Sequence, residues 1–167
     1  MAKFRLPVAV MGVSGAGKST VGVRLAQALG VEYEDGDDLH PAANVAKMAA
    51  GHPLDDADRA PWLDAVGRWL AEYGGVVSCS ALKRDYRDRL QAAAPGVFFV
   101  ELDATREELA RRMTTRSGHF MHVQMLDSQL ATLEPLSPDE VGITVDATRD
   151  IDDLVRELLA ALEIPEE

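Results

Sequence analysis

The sequence contains one cysteine, Cys79, and few aromatic residues, which make up 5% of its 167 residues. A single cysteine excludes an internal disulfide. Because Cys79 lies in the apolar run 75–80, we predict a buried thiol without a chemical role. The four histidines show no spacing typical of metal ligands, and with one cysteine the chain is not expected to hold zinc.

Long hydrophobic runs and excess positive charge are also lacking. No stretch approaches the ~20 apolar residues of a membrane span, and residues 1–7 do not resemble a secretory signal. Asp and Glu number 28 against 17 Lys and Arg, so the formal net charge is -11. An acidic chain does not attract a nucleic acid through the release of counterions. We therefore expect a cytoplasmic protein that binds neither membrane nor nucleic acid.

The sequence instead has a regular alternation of strand-like and helix-like segments, and its length favours one domain over 1–167. The apolar runs predict strands at 8–11, 31–34, 76–79, 97–102 and 143–145. Helical spacing predicts helices at 18–29, 38–50, 56–73, 84–94, 105–116, 123–133 and 151–162, the second beginning near Pro41. Such alternation predicts an α/β fold with helices on both faces of a parallel sheet.

Residues 12–20 carry the clearest chemical signal. The phosphate-loop pattern G-x-x-x-x-G-K-[ST] is met at every fixed position, with a strand before it and a helix after it. Its N–H groups and the helix terminus are predicted to hold a nucleoside triphosphate. Lys18 would bridge the β- and γ-phosphates, and the Ser19 hydroxyl would coordinate Mg²⁺. The candidate binding residues are Gly12, Val13, Ser14, Gly15, Ala16, Gly17, Lys18, Ser19 and Thr20. The alternative is a glycine-rich turn without a ligand.

Acidic residues follow the second predicted strand, where the carboxyl ends of parallel strands line a ligand crevice. We predict that Asp35 and Asp37 hold Mg²⁺ and orient an attacking hydroxyl. The alternative is a simple acidic turn. For Asp38 we prefer the structural interpretation, as N-cap of the next helix.

Basic residues are gathered locally in this acidic chain. Arg59 lies near a helix N-terminus, where a cation is unfavourable, which indicates that it faces an anion. Its guanidinium group matches a carboxylate. After the third strand, Lys83 or Arg87 is a candidate for gripping substrate oxygens. Arg84 and Arg89 are better explained as a solvated helix face with i,i+4 ion pairs.

A second basic segment is predicted to cover the site as a lid over about 112–125. Arg112 and Arg116 share a helix face and are candidates for neutralising the transferred phosphoryl group. Which of the two reaches it stays open. His119 is either a polar substrate contact or a loop residue. Residues 146–148, after the fifth strand, are a candidate edge of the adenine pocket.

Several longer motifs resemble the gluconate kinase (gluconokinase) family, and the match spans about residues 8–135. They are DGDDLHP at 35–41, GHPLDDADR at 51–59, PWL at 61–63, SCSALK at 78–83, YRD at 86–88, GHFM at 118–121 and TLEP at 132–135. One departure is His122, where many relatives have proline. This difference concerns the rigidity of the lid more than the chemistry.

The resemblance implies ATP-dependent phosphorylation of D-gluconate at its 6-hydroxyl, with Mg²⁺. It also implies a three-layer P-loop NTPase fold of the nucleoside-kinase type, with a five-stranded parallel sheet in the order 2-3-1-4-5, a helical lid and often a homodimer. By a more distant likeness to shikimate kinases, Asp35 would serve Mg²⁺ and Asp37 the acceptor hydroxyl. His40, Arg59, Lys83, Arg87 and His119 would contact the substrate. The alternatives are a kinase of another small hydroxy acid, such as shikimate, and a nucleotide-dependent switch without an acceptor.

Overall fold

The structure, a computed structural model, describes residues 3–13, 15–117 and 120–164, and the side chains within these ranges except those of 113–125. Its strands are β1 (Lys3–Phe4), β2 (Val8–Met11), β3 (Tyr33–Asp35), β4 (Val76–Ser78), β5 (Phe98–Asp103), β6 (Gly142–Asp146) and β7 (Glu163–Ile164). Its helices are α1 (Lys18–Leu29), α2 (Ala42–Ala49), α3 (Asp56–Tyr73), α4 (Arg84–Ala93), α5 (Arg106–Ser117), α6 (Phe120–Thr132) and α7 (Ile151–Leu162), with a 3₁₀ turn at Gly36–Leu39.

The central sheet has five parallel strands in the order β3-β4-β2-β5-β6. Counted among these five strands alone, this is the predicted order 2-3-1-4-5. The labels differ by one because β1, which was not predicted, precedes them. β1 pairs with β7 in a separate antiparallel ladder that joins the two ends of the described chain.

Helices cover both faces of the sheet, which confirms the predicted three layers. Successive residues of β2 face opposite sides, as the period of a strand requires. Val8 and Val10 belong to one buried cluster, which includes residues of α1 and α7. Ala9 and Met11 belong to the other, which includes residues of α3 and α4. A strand buried on both faces needs an unbroken apolar run, which is why all four residues of β2 are apolar and fully buried.

The segment after β3 differs from the prediction. The chain first makes the 3₁₀ turn, capped by the Asp35 carboxylate, which accepts a hydrogen bond from the Asp37 N–H. α2 begins after Pro41, as expected, and Pro41 is its N-cap. The prediction that Asp38 caps this helix is therefore wrong, because the turn places it three residues before the cap.

Two sequence-based expectations about apolar segments can be compared with the fold. Cys79 is 1% exposed, and burial raises its pKa to about 12, which confirms a buried, unreactive thiol. Among the described helices, none combines the length and the apolar character that a bilayer crossing requires.

Candidate active site

The phosphate loop connects β2 to α1 with a backbone that demands glycine. Gly12, Gly15 and Gly17 have φ angles of 154°, 85° and 94°, which L side chains rarely adopt. At Gly12 a Cβ atom would also lie 3.0 Å from the Leu102 carbonyl oxygen. Gly17 is the N-cap of α1, so the unpaired N–H groups and the positive dipole end of this helix lie at the loop. This is the local structure expected of an anion site.

A cavity of about 140 Å³ beside the loop brings together Lys18 and Asp37, two of the three predicted catalytic residues. It is lined by Gly15, Gly17, Lys18, Ser19, Thr20, Asp35, Asp37, Ser78 and Ser80. They meet because β2, β3 and β4 are adjacent and parallel, so that their carboxyl ends share one edge. Ser78 and Ser80 were not predicted as site residues. The available signal was polar side chains at the end of a buried strand.

Lys18 lies between the loop and the acidic residues. Its Nζ donates a hydrogen bond to the Val13 carbonyl oxygen at 3.1 Å. Burial lowers the pKa of Lys18, and the charges of Asp37 and Asp35 act in the opposite direction. An incoming phosphate would add negative charge beside this ammonium group and so favour its charged form.

The two carboxylates of the cavity have different surroundings. Desolvation raises the pKa of Asp37 although part of the residue is exposed, the charge of Asp35 adds to the rise, and Lys18 opposes it. A raised pKa suits a group that takes up a proton. Asp35, by contrast, has one oxygen occupied by the Asp37 N–H at 3.0 Å. With the Ser19 hydroxyl it offers the hard oxygen donors that Mg²⁺ prefers, so the lining of the cavity fits this ion.

His40 ends the 3₁₀ turn that carries Asp37. Its ring stacks on Trp62, with the ring centroids 4.4 Å apart, and its Nδ1 is 3.2 Å from the Asn44 amide nitrogen. Burial lowers the pKa of His40, and the charges of Asp37 and Arg59 act on it in opposite directions. The stacking on Trp62 and the amide contact fix the ring next to the 3₁₀ turn that carries Asp37.

Arg59 and Lys83 are brought together around one tyrosine. The Arg59 guanidinium donates to the Tyr86 hydroxyl at 3.2 Å, and its Cζ lies 5.9 Å from the ring centroid. The Lys83 Nζ lies 5.5 Å from the same centroid. Asp56 completes the cluster and accepts hydrogen bonds from Tyr86 and Lys83. Asp56 and Tyr86 were not predicted as site residues.

The prediction that Arg87 grips the substrate is wrong. Its side chain is 1% exposed, and its Nε lies 2.6 Å from Glu140, with which it forms an ion pair. Its remaining donors bind the carbonyl oxygens of Ala81 at 3.1 Å and Pro135 at 3.4 Å. The guanidinium is buried and all three of its nitrogens bind within the chain, which leaves Lys83 as the candidate of the pair.

The two other arginines of α4 lie at the surface, as predicted. Arg84 pairs with Asp139 at 2.7 Å and with Asp88, four residues along α4, at 3.7 Å. Arg89 instead pairs with Asp64 of α3.

A second cavity, of about 400 Å³, lies on the other side of the phosphate loop. Its lining includes the apolar side chains of Ile151 and Leu154, with Ala147 and Arg112. Ala147 falls within the predicted edge at 146–148. Arg112 donates to the carbonyl oxygens of Gly15 at 3.2 Å and Ala147 at 2.9 Å, so it spans from the loop to this edge.

Part of the predicted site lies outside the described residues. The predicted residues outside the described ranges are Ser14 and His119, together with the side chains of Arg116 and His122. Most of the predicted lid therefore also lies outside them. Within the described part of this segment, the Glu108 N–H donates a hydrogen bond to the Thr105 hydroxyl. The Glu108 carboxylate accepts hydrogen bonds from Arg111 and Arg112.

The parallel sheet, the phosphate loop and the acidic edge define a P-loop kinase. The model of the shikimate kinase family matches residues 14–162. Solved shikimate kinases share the fold: that of Acinetobacter baumannii superposes with a TM-score of 0.63 at 22% identity, over 91% of this chain and 89% of that one.

Relatives of higher sequence identity define the family more specifically. A gluconokinase of Gluconobacter oxydans is 49% identical over 155 residues, which are 90% of this chain and 87% of that protein. The thermosensitive gluconokinase of Escherichia coli is 44% identical, over 85% and 79% of the two chains. The crystal structure of a gluconokinase from Sinorhizobium meliloti has a TM-score of 0.87 at 48% identity, over 95% and 92%. The chain belongs to the gluconokinase family.

Proposed function

We propose that this protein transfers the γ-phosphoryl group of ATP to the 6-hydroxyl of D-gluconate, giving 6-phospho-D-gluconate and ADP. The observation that carries the proposal is one cavity that combines Lys18 and Ser19 of the phosphate loop with the Asp37 carboxylate. The names of the relatives, gluconokinases at 44% to 49% identity, indicate the acceptor.

On the nucleotide side, the loop N–H groups and Lys18 bind the phosphates, and the apolar part of the larger cavity receives the base. Arg112 borders both regions, because it contacts the loop at Gly15 and the far edge at Ala147. We assign it to the nucleotide. Arg116 and the rest of the segment 112–125 are proposed to close over the phosphates and to exclude water.

On the acceptor side, Asp37 accepts the proton of the 6-hydroxyl. The new bond joins this oxygen to the γ-phosphorus, the bond to the β–γ bridging oxygen breaks, and ADP leaves with that electron pair. Ser19 and Asp35 would hold Mg²⁺, which when bound neutralises charge on the phosphate oxygens. The chain's own contribution is positioning and charge neutralisation.

The far end of the acceptor carries a carboxylate, for which Arg59 and Lys83 are the binding groups. Their position fits, since they lie 3.9 and 3.4 Å from one carboxylate, that of Asp56. His40 itself is proposed to contact the sugar hydroxyls. The homodimer, the cytoplasmic location and a substrate contact at His119 stay predictions from sequence.

The test is a panel of acceptors, each with Mg·ATP and purified protein, measured as ADP release with the product identified by ³¹P NMR. We expect a phosphomonoester from gluconate, and turnover with shikimate or a nucleoside monophosphate at least 100-fold lower, as a polar site rejects ligands that leave its groups unpaired. Equal turnover with shikimate would overturn the choice of acceptor. ADP formation that is independent of any acceptor would favour the nucleotide-dependent switch.

A further inference from the structure

The Asp56 carboxylate accepts hydrogen bonds from two donors, Tyr86 and Lys83, and lies in ion-pair range of Arg59. The Tyr86 hydroxyl donates to its Oδ1 at 2.5 Å. The Lys83 Nζ lies 3.4 Å from both of its oxygens, and the Arg59 guanidinium lies 3.9 Å from it. Three groups on two different helices thus converge on one carboxylate. The arrangement is itself a carboxylate site, occupied by a residue of the chain.

The donors are anchored more firmly than the acid they hold. Tyr86 is 6% exposed, whereas the Asp56 side chain is 67% exposed. The ring of Tyr86 lies against Lys83 and Arg59, and cation–π attraction helps to keep the two cations apart at fixed places. Exposed ion pairs are weak, so the two cations hold Asp56 loosely, and the Tyr86 hydrogen bond is the main contact that a competing carboxylate must replace.

Asp56 is not needed to cap its helix. The N-cap of α3 is Asp55, whose carboxylate accepts from the Asp58 N–H at 2.8 Å. Asp58 reciprocates by accepting from the Asp55 N–H at 3.0 Å. Asp56 therefore has no capping role, and beyond the favourable effect of the helix dipole on a first-turn acid its contacts are those with the cations and Tyr86.

We propose that Asp56 is an internal competitor that occupies the position of the substrate carboxylate, and that the Tyr86 hydroxyl becomes a third donor to that carboxylate once Asp56 has left. The inference rests on the proposed function in that the acceptor is a sugar acid. It adds a determinant of specificity. When a sugar acid displaces Asp56, its own carboxylate pairs with the two cations in place of the Asp56 carboxylate. A neutral polyol has no such charge, so Asp56 stays paired with the cations and the polyol gains little binding energy.

The experiment compares Asp56→Asn and Tyr86→Phe with the wild-type chain. Calorimetry gives the gluconate Kd, and steady-state kinetics give kcat and both KM values. We expect Asp56→Asn to lower the gluconate Kd about fivefold, the size of an exposed ion-pair interaction. We expect Tyr86→Phe, which keeps the ring, to raise it about tenfold through loss of a charge-assisted hydrogen bond. The KM for ATP should stay within twofold in both.

Matched controls lie on α3 itself. Asp64→Asn removes an exposed carboxylate that pairs with Arg89, and Tyr73→Phe removes an exposed hydroxyl. Both should leave the gluconate Kd unchanged. Weaker gluconate binding by Asp56→Asn would overturn the competitor role. An unchanged Kd in Tyr86→Phe, or an equal rise in the KM for ATP, would overturn the donor role.

Failure of the inference and failure of the proposed function give different results. If wild-type protein phosphorylates gluconate but the variants show the opposite order of affinities, only the inference fails. If it phosphorylates no gluconate yet binds another sugar acid, the proposed function fails. The two variants are then measured with that acid. Tighter binding by Asp56→Asn and weaker binding by Tyr86→Phe support the inference, and the opposite order overturns it.

Discussion

Arg87 and Glu140 form an ion pair that is almost completely removed from solvent, with side chains 1% and 6% exposed and an Nε–Oε2 distance of 2.6 Å. The pair joins α4 to the loop that precedes β6, and Arg87 also binds the carbonyl oxygens of Ala81 and Pro135. It therefore supports the segment that carries Lys83 without reaching the substrate itself.

Arg87→Leu is expected to lower the free energy of unfolding by about 3–5 kcal/mol, because it leaves the Glu140 carboxylate buried without a partner. Urea denaturation measures this change. Arg89→Ala is the matched control on the same helix. Its pair with Asp64 is exposed, so the loss should stay below about 1 kcal/mol. An Arg87→Leu protein of wild-type stability with a raised KM for gluconate would restore the substrate role that the structure contradicts.

Lys18→Met is expected to lower kcat by at least about 100-fold, the usual cost of removing one group that stabilises charge in a transition state. The side chain should still fill the space beside Val13 and the loop, so the melting temperature should change little. Steady-state kinetics and a thermal melt measure the two quantities. A variant that keeps more than a tenth of wild-type kcat would exclude Lys18 from the reaction.

Asp37→Asn should abolish most turnover while nucleotide binding persists. Because the pKa of Asp37 is raised, its basic form is lost at a higher pH than for an ordinary aspartate. The acid limb of the kcat profile should therefore lie above the usual range of an aspartate. A limb at or below the usual aspartate pKa would contradict the assignment of Asp37 as the base.

Asp37 should also affect the pH dependence of stability, with a definite sign. A raised pKa in the folded state means that the folded chain binds more protons, so ionisation of Asp37 lowers stability as the pH rises from the ordinary value to the raised one. Asp37→Asn removes this loss. We expect the variant to be more stable than wild type at neutral pH, and the gain to vanish below the ordinary aspartate pKa. Urea titrations at several pH values measure it.

Arg112→Ala should raise the KM for ATP about tenfold, the effect of losing one charge-assisted interaction, and should leave the KM for gluconate within twofold. Arg112 contacts the phosphate loop at Gly15 and the edge of the larger cavity at Ala147. It makes none of the contacts of the Arg59 cluster. Arg106→Ala is the control on α5, since its pair with Asp127 is exposed. Equal changes in both KM values would indicate a general structural effect.

Local patterns in the sequence were sufficient for much of the fold. The phosphate loop is a contiguous run whose glycines and lysine are typical of one backbone conformation. Its position between β2 and α1 could therefore be predicted directly from the sequence. Helical spacing placed α1, α3 and α7 at their observed bounds, because one apolar stripe per helix must face the sheet. The convergence of Lys18 with Asp35 and Asp37 also followed, since parallel strands end at the same edge.

What the tertiary structure alone decided is which polar side chains are left for a ligand. Lys83 and Arg87 are near neighbours in the chain, yet one lies in an open cluster and the other is buried. The difference arises because Glu140, 53 residues away, packs against one side of α4. In the same way, the contacts of the Tyr86 hydroxyl come from Asp56 and Arg59 on α3. Such pairings depend on how distant elements pack, and no local periodicity encodes them.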